Sequence, residues 1–521
     1  METELKLLLQ APELRRLRRD PRIKALQQGR AATRRVRSVY YDTPEQALLR
    51  AGLALRLRSD GARWLQTLKT EGRAAAGLHV REEWEWPLAG EALDFGLLAT
   101  TPEAKRFRSP KLRAKLAPVF STEFERIRLR LAFADGSLAE LCLDSGEIRS
   151  GRRASTISEA EIELLSGSPV RLYELALQLA EHLPLRLGAA SKAERGYALA
   201  LALPERPARA APLVLDGQGS VATAFATIVH SCMAHLQANE AGFLQGKNPE
   251  YLHQVRVALR RLRACFSLFR AVLPPAFSAL AHQLRAQSAV LGNARDWDVF
   301  VHEMLRALRE QRADESAVMT FERRCVRLGR AHLRAAQAAV ASGAWQRLWL
   351  ELARVLADGE WMQSNAALAL PVEDFAAGVL QQRAATLKKR GKLLQELDAA
   401  GRHRLRIAAK KLRYAAEFFA ALHPKRRVRP YVESLAAVQE VLGGLNDAAT
   451  LLRLLPAACA GAPVVDPGGV DPRVAGMIEG WSAAATHLQL DALTRAWDHW
   501  QKQKPFWKSP RHHMEIPNRR G

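Results

Sequence analysis

Along residues 1–203 apolar and polar positions alternate with a period of two in short runs, the pattern of strands with one buried face. The runs are "TELKLLL", "RSVYYDT", "LALRLRS", "RWLQTLK", "LHVREEWEWPL", "FERIRLRLAF", "LAELCLDSGEI" and "ISEAEIELL". Between them residues 171–183 change to a helical period, with Leu172, Leu175, Leu179 and Leu183 on one stripe. An α+β domain of mostly antiparallel strands is therefore predicted for 1–203. Residues 204–212, "PERPARAAP", carry three prolines and no apolar period, and read as a linker. From 213 to 500 apolar spacings of three and four predict an all-α domain, interrupted by a loop at 456–472. Residues 501–521 read as a frayed basic tail.

The helical half contains a repeat. "LHQVRVALRRLRACFSLF" at 252–269 recurs as "RHRLRIAAKKLRYAAEFF" at 402–419, and "LGNARDWDVF" at 291 recurs as "LGGLNDAATL" at 442. His253, Arg256, Arg260, Arg261 and Arg263 fall on His403, Arg406, Lys410, Lys411 and Arg413. Steps of three and four place most of these on one stripe, opposite an apolar face of Val255, Leu259, Leu262, Phe266 and Phe269. In copy two the apolar face is Leu405, Ala409, Leu412, Ala416 and Phe419. Neither copy holds an acidic residue before Glu417, so stacked like charges repel along the helix. Repulsion of that kind, repeated at matching positions, predicts a bound polyanion. Asp296 and Asp447 are expected to cap or brace helices.

Charge widens this picture to the whole chain. Of 521 residues 78 are Lys or Arg and 54 Asp or Glu, a net charge of +24, which favours an anionic partner. Few aromatics interleave the basic stripes, so nucleic acid is the disfavoured polyanion. No run approaches about 18 apolar residues and the first residues are charged, so a cytoplasmic protein with no membrane partner is expected. The five cysteines are scattered without a C-x-x-C pair, which predicts reduced thiols and no zinc site.

On the strands the polar positions are charged, some strands offering only carboxylates and others only arginines. Glu2, Glu4 and Lys6 share one face of the first run, opposite Thr3, Leu5 and Leu7. The same parity recurs in Arg56 and Arg58, in Arg126, Arg128 and Arg130, in Glu140 and Asp144, and in Glu161 and Glu163. Closed with that face inward, such a sheet would set carboxylates beside arginines, a set suited to Mg²⁺ or Mn²⁺ with a phosphate chain.

In order, "ETELK", "YYDT", "GLALRLR", "WLQTLK", "LCLDSGEI", "EAEIEL" and "SKAERGYAL" resemble the CYTH superfamily, the triphosphate tunnel metalloenzymes, over residues 1–203. The repeated half resembles the CHAD domain, a helical polyphosphate-binding module, over 213–500. The resemblance implies an eight-stranded antiparallel barrel forming a tunnel, followed by a helical bundle with an internal two-fold repeat. It implies metal ligation by Glu2, Glu4, Asp144, Glu161 and Glu163, with Mg²⁺ or Mn²⁺ as cofactor. Substrate phosphates would be held by Lys6, Arg56, Arg58, Lys69, Arg126 and Lys192, and Glu2, Glu4 and Lys6 would act in the chemical step. Arg81, Glu83, Arg128 and Glu140 share the inward parity but match less specifically. The implied activity is hydrolysis of inorganic tripolyphosphate to pyrophosphate and phosphate. Inorganic polyphosphate would bind the helical half through His253, Arg256, Arg260, Arg261, Arg263, His403, Arg406, Lys410, Lys411 and Arg413, with association to polyphosphate granules. Adenylate cyclase or thiamine triphosphatase chemistry in the same tunnel, and a non-catalytic polyphosphate or nucleic-acid binder, are the rival readings.

Overall fold

All eight alternating runs lie in strands of one antiparallel sheet in the computed structural model, which describes every residue except 1, 60, 62, 76, 247, 307–315, 461–471 and 509–521. The strands are β1 (Glu2–Leu8), β2 (Gln27–Asp42), β3 (Leu53–Ser59), β4 (Trp64–Thr70), β5 (Arg73–Ala75), β6 (Leu78–Arg81), β7 (Glu83–Leu88), β8 (Ala117–Ala132), β9 (Leu138–Ser150), β10 (Arg153–Ser166) and β11 (Arg186–Leu187). Their spatial order is β5-β6-β1-β10-β9-β8-β2-β3-β4-β7, with β11 added to β1. The stretch Leu78–Leu88 changes partner along its length, since β6 pairs with β1 and β7 with β4. β2 begins well before the run that predicted it, because its first half is mostly exposed and shows no alternation.

One face of the sheet buries an apolar set of Leu5, Leu7, Leu55, Leu57, Leu129, Leu131, Leu141, Leu143 and Ile162, and further along β2, β8 and β9 the same face carries Arg35, Arg37, Glu123, Glu125, Glu147 and Arg149. The other face is divided. At one end it carries charge, and at the other it carries Val36, Tyr40, Phe120, Phe124, Ile148 and Ile157, which pack around Tyr197. Tyr197 belongs to α2 (Lys192–Ala200), a helix opened by a capping box between Ser191 and Glu194. A Cβ on Gly196 would lie 2.0 Å from the Phe120 ring, so only glycine lets this helix sit so close to the sheet. The helix expected at 171–183 forms α1 (Val170–Leu179).

By compactness the chain divides into two units, one of Met1–Arg206 with Ser342–Asp358, the other of Pro207–Ala341 with Gly359–Gly521. The break near 206 falls in the proline-rich stretch. The assignment of Ser342–Asp358 departs from the boundaries read in the sequence, because helical periodicity reports how a segment folds and not what it packs against.

After α2 along the chain, the α-helices among the described residues are α3 (Val221–Gln245), α4 (Pro249–Phe269), α5 (Ala276–Val299), α6 (Ser316–Ala341), α7 (Gly343–Asp358), α8 (Val372–Arg390), α9 (Ala399–Phe418), α10 (Lys425–Cys459) and α11 (Pro472–Gln501). The two basic segments lie on α4 and α9, and the two trailing segments on α5 and α10. Their apolar faces meet in an aromatic core in which the Phe269 and Phe375 rings lie tilted at 4.8 Å and the Phe225 and Phe277 rings meet edge to face at 5.3 Å. The interruption expected from 456 starts later, since α10 continues through Pro456 to Cys459; residues 461–471 lie outside the described residues. The tail expected to fray is docked at its start. Phe506 and Trp507 are buried, both rings meet Tyr431, and Trp507 Nε1 donates to Gln381 Oε1 at 3.1 Å. All five cysteines are free thiols, and no helix among the described residues is long and apolar enough to cross a membrane.

Candidate functional site

Strand registers bring the charged positions of the first unit together on one face. Glu4 stands opposite Glu163, Lys6 opposite Glu161, Glu163 opposite Glu140 and Arg126 opposite Asp144. Glu2 stands opposite Arg81 and Lys69 opposite Glu83. These residues, with Arg56 and Arg58, lie on or beside a cavity of about 420 Å³.

Two networks of ion pairs occupy the face. In the first, Lys69 Nζ bonds Glu2 at 2.9 Å and Glu83 at 2.8 Å, while Arg81 donates to Glu2 at 2.8 Å and Glu4 at 2.5 Å. Burial disfavours the Glu2 carboxylate, but Lys69 and Arg81 outweigh it and hold the group well below the usual carboxylate range. In the second, Arg126 forks onto Asp144 at 2.7 and 2.6 Å and reaches Glu161 at 2.7 Å. Lys192 bonds Asp144, Glu159 and Glu161 at 2.7, 2.5 and 2.9 Å, and Lys6 bonds Glu161 at 3.0 Å. Burial again opposes charge on Glu161, and Lys192, Lys6 and Arg126 drive its pKa well down. Asp144, Glu159 and Glu161 each offer an oxygen within 4.8 Å of the others, a buried acidic triad with the donor set of a hard cation site.

Two groups stand apart from these pairs. Glu163 makes no ion pair among the described residues, and burial followed by repulsion from Glu2 and Glu4 raises its pKa from 4.5 to about 7. Arg58 also lacks an ion-pair partner among the described residues, its Nε is buried without a hydrogen bond, and burial with Arg56 and Arg126 nearby lowers its pKa to about 10. A carboxylate short of a cation and a cation short of an anion thus line one cavity.

The strand residues singled out from the sequence lie on this face, including Arg81 and Glu83, which bind directly to Glu2 and Lys69, and Lys192 reaches it from α2. Arg128 pairs with Glu140 at 2.7 Å in a more exposed position. Sequence reading missed Glu159, which is fully buried and bonded to Lys6, Lys192 and Arg195. Its place two residues before Glu161 on the same parity was the available sign. Tyr40 was missed as well; its hydroxyl accepts from Arg56 at 3.3 Å.

In the second unit the ten basic-stripe residues separate. Arg256 donates to the Gly292 carbonyl at 2.7 Å and lies 3.7 Å from Asp296, so of the two roles expected of it Asp296 takes that of a brace between helices. Burial, Arg406 and Arg260 lower the pKa of Lys410 from 10.5 to about 7, and Arg256 contributes, so cations of α4 and α9 face each other. His403 lies 3.1 Å from Asn446 and His253 is half-buried beside Arg260, Arg295 and Arg256. Arg261 turns away: it is 8% exposed, pairs with Glu417 at 3.0 Å and covers the Phe418 ring. Arg413 shares Glu417 at 2.7 Å. Lys411 feels Arg383, Arg390, Arg285 and Arg263 after burial, which marks a second basic group.

The family model of the CYTH domain matches residues 1–197 and that of the CHAD domain residues 227–456. Over 167 residues the chain is 32% identical to the inorganic triphosphatase of Haemophilus influenzae, a match that covers 31% of this chain. The chain spans 45% of the length of that curated relative. Among solved structures, the CHAD domain from the plant Ricinus communis is 32% identical with a TM-score of 0.49, covering 58% of this chain and 99% of that one. A Hippeastrum protein described as having a dominant triphosphatase activity is 20% identical with a TM-score of 0.29, covering 38% of this chain and 96% of that one.

Proposed function

From a chain that carries a CYTH domain over residues 1–197 and a CHAD domain over 227–456, we propose a metal-dependent hydrolase that splits inorganic tripolyphosphate into pyrophosphate and phosphate. The carrying observation is that Glu163 and Arg58, which make no ion pair among the described residues, share one cavity lined by both signs of charge. A metal–phosphate complex supplies what each lacks, a cation to the carboxylate and an anion to the guanidinium.

In this reading the sheet closes into an eight-stranded tunnel. Support comes from Leu78–Leu88, which pairs with β1 at one end and β4 at the other, so that counting it as one strand joins both ends of the path. Glu2, Glu4 and Glu163 would hold Mg²⁺ or Mn²⁺, with Asp144 and Glu161 as further oxygen donors and Glu159 beside them. The bound metal would neutralise charge on the phosphate oxygens. Arg56, Arg58, Lys69, Arg126, Lys192 and Lys6 bind and orient the chain, competing with the carboxylates that now pair with them. Glu2, Glu4 and Lys6 are the groups assigned to the chemical step.

For the helical unit, binding of inorganic polyphosphate is proposed at Arg256, Arg260, Arg406 and Lys410, with His253 and His403 as further donors. Arg263 and Lys411 extend it through the second basic group. Arg261 and Arg413 are left out, because both are already engaged by Glu417.

The test is release of phosphate from tripolyphosphate, ATP, thiamine triphosphate and long polyphosphate with Mg²⁺, Mn²⁺ or a chelator. Tripolyphosphate is expected to be the preferred substrate and the chelator to abolish turnover. Cyclic AMP as the main product, or turnover indifferent to chelation, overturns the reading.

A further inference from the structure

Helix α7 lies in the helical half of the sequence and packs in the strand unit. Its Gln346 is 1% exposed, and the side-chain oxygen accepts from the Leu187 backbone N–H at 3.1 Å. Leu187 belongs to β11, where it stands opposite Leu7 of β1. The next residue, Gly188, donates its N–H to the Lys6 carbonyl at 2.9 Å and accepts from His79 Nε2 at 3.0 Å. A Cβ on Gly188 would lie 2.5 Å from Lys6 Cγ, so the lysine stem rests directly on this short strand. Lys6 Nζ then reaches Glu161 at 3.0 Å. Three residues past Gly188, Ser191 caps the helix that presents Lys192 to the same carboxylate. The next residue adds a second tie: Arg347 donates to the Ala180 carbonyl, just past the C-terminus of α1, at 3.3 Å.

We infer that Ser342–Asp358 is a working part of the strand unit, and that Gln346 is a positioning residue which fixes β11 and thereby the placement of Lys6. Without the Gln346 oxygen, the Leu187 N–H becomes a buried donor with its acceptor removed, and β11 can satisfy it only by moving. Movement there displaces the surface on which Lys6 lies. A purely space-filling role for α7 would leave Lys6 where it is. The inference rests on the proposed triphosphatase reading for its kinetic readout only.

The experiment uses the full chain with Gln346→Leu, which keeps the shape and removes the acceptor, and Gln346→Glu, which keeps an acceptor oxygen. Arg354→Gln, on the same helix and paired with Glu351 three residues before it, is the control. Kinetics on tripolyphosphate are read beside backbone hydrogen exchange over residues 184–192. In Q346L, KM is expected to rise about tenfold, the scale of one weakened charge-assisted hydrogen bond, with faster exchange around Leu187. Q346E restores both, and R354Q changes neither. A merely structural loss would lower the amount of active protein and leave KM unchanged, and that result, or unchanged exchange, overturns the inference. Should the wild-type chain not hydrolyse tripolyphosphate, the functional reading falls while exchange still decides the role of Gln346. If Q346L does not fold, Gln346→Asn, which withdraws the amide by one methylene, carries the same test.

Discussion

Glu163 stands opposite Glu4 with Glu2 close by, and this crowding of carboxylates gives the first unit a pH signature. Its carboxyl keeps a proton up to about pH 7 in the folded chain, against 4.5 when unperturbed. Between those values the folded state binds more protons than the unfolded one, so stability falls as pH rises through the window. Glu2, Asp144 and Glu161 have depressed values, so they act in the opposite sense at lower pH: their contribution is present above the ordinary carboxylate range and is lost on acidification. The expected outcome for Glu163→Gln is a flatter melting temperature between about pH 4.5 and 7 in the presence of chelator, with the acid limb unchanged. Thermal melts across that range check it. Glu4→Gln removes a charged oxygen beside Glu163, and tripolyphosphate hydrolysis is expected to be lost while the fold remains. Activity at the wild-type level in E4Q would remove Glu4 from the site.

At the scale of elements, α4 and α9 bring Arg256, Arg260, Arg406 and Lys410 face to face. Since burial and the neighbouring arginines lower the Lys410 pKa from 10.5 to about 7, binding of a polyanion that raises it again is accompanied by proton uptake at Lys410 between those values. Calorimetry of polyphosphate binding in buffers of different ionisation enthalpy is expected to show proton uptake that Lys410→Gln removes. Replacing Arg256 and Arg260 by Gln, or Arg406 and Lys410, is expected to weaken binding and to lower the salt slope by roughly one for each phosphate that is no longer neutralised. The two double changes combined should cost less than their sum, because neighbouring cations share one anion. Arg327 and Arg330, exposed on α6, give a control of equal charge change. Equal weakening in that control would reduce the stripes to diffuse charge.

For the whole molecule, the division into units makes a fragment ending at Arg206 incomplete, since it lacks α7 and leaves the Leu187 N–H without Gln346. Such a fragment is expected to melt lower than one in which residues 342–358 are appended through a flexible linker, and equal melting temperatures would show that α7 adds no stability. Mn²⁺ or Mg²⁺ should stabilise the strand unit by about 2.7 kcal/mol at a hundredfold excess over Kd, read as a higher melting temperature, and E4Q should abolish that shift. Much of this organisation was legible in the chain alone. Period-two alternation follows from the strand itself, in which successive side chains point to opposite faces, so Glu2, Glu4 and Lys6 share a face in any sheet. Helical spacing likewise placed Val255, Leu259 and Leu262 in a core, and the proline-rich stretch marked the break near 206. Local pattern does not report partners distant in sequence. It could not pair Glu163 with Glu4 across 159 positions of chain, turn Arg261 toward Glu417 and leave Arg256 in the stripe, or send α7 back to the strand unit. Those were decided by tertiary structure, because a residue's charge state and function depend on which groups packing brings within a few ångströms, while its periodicity depends only on its nearest neighbours along the chain.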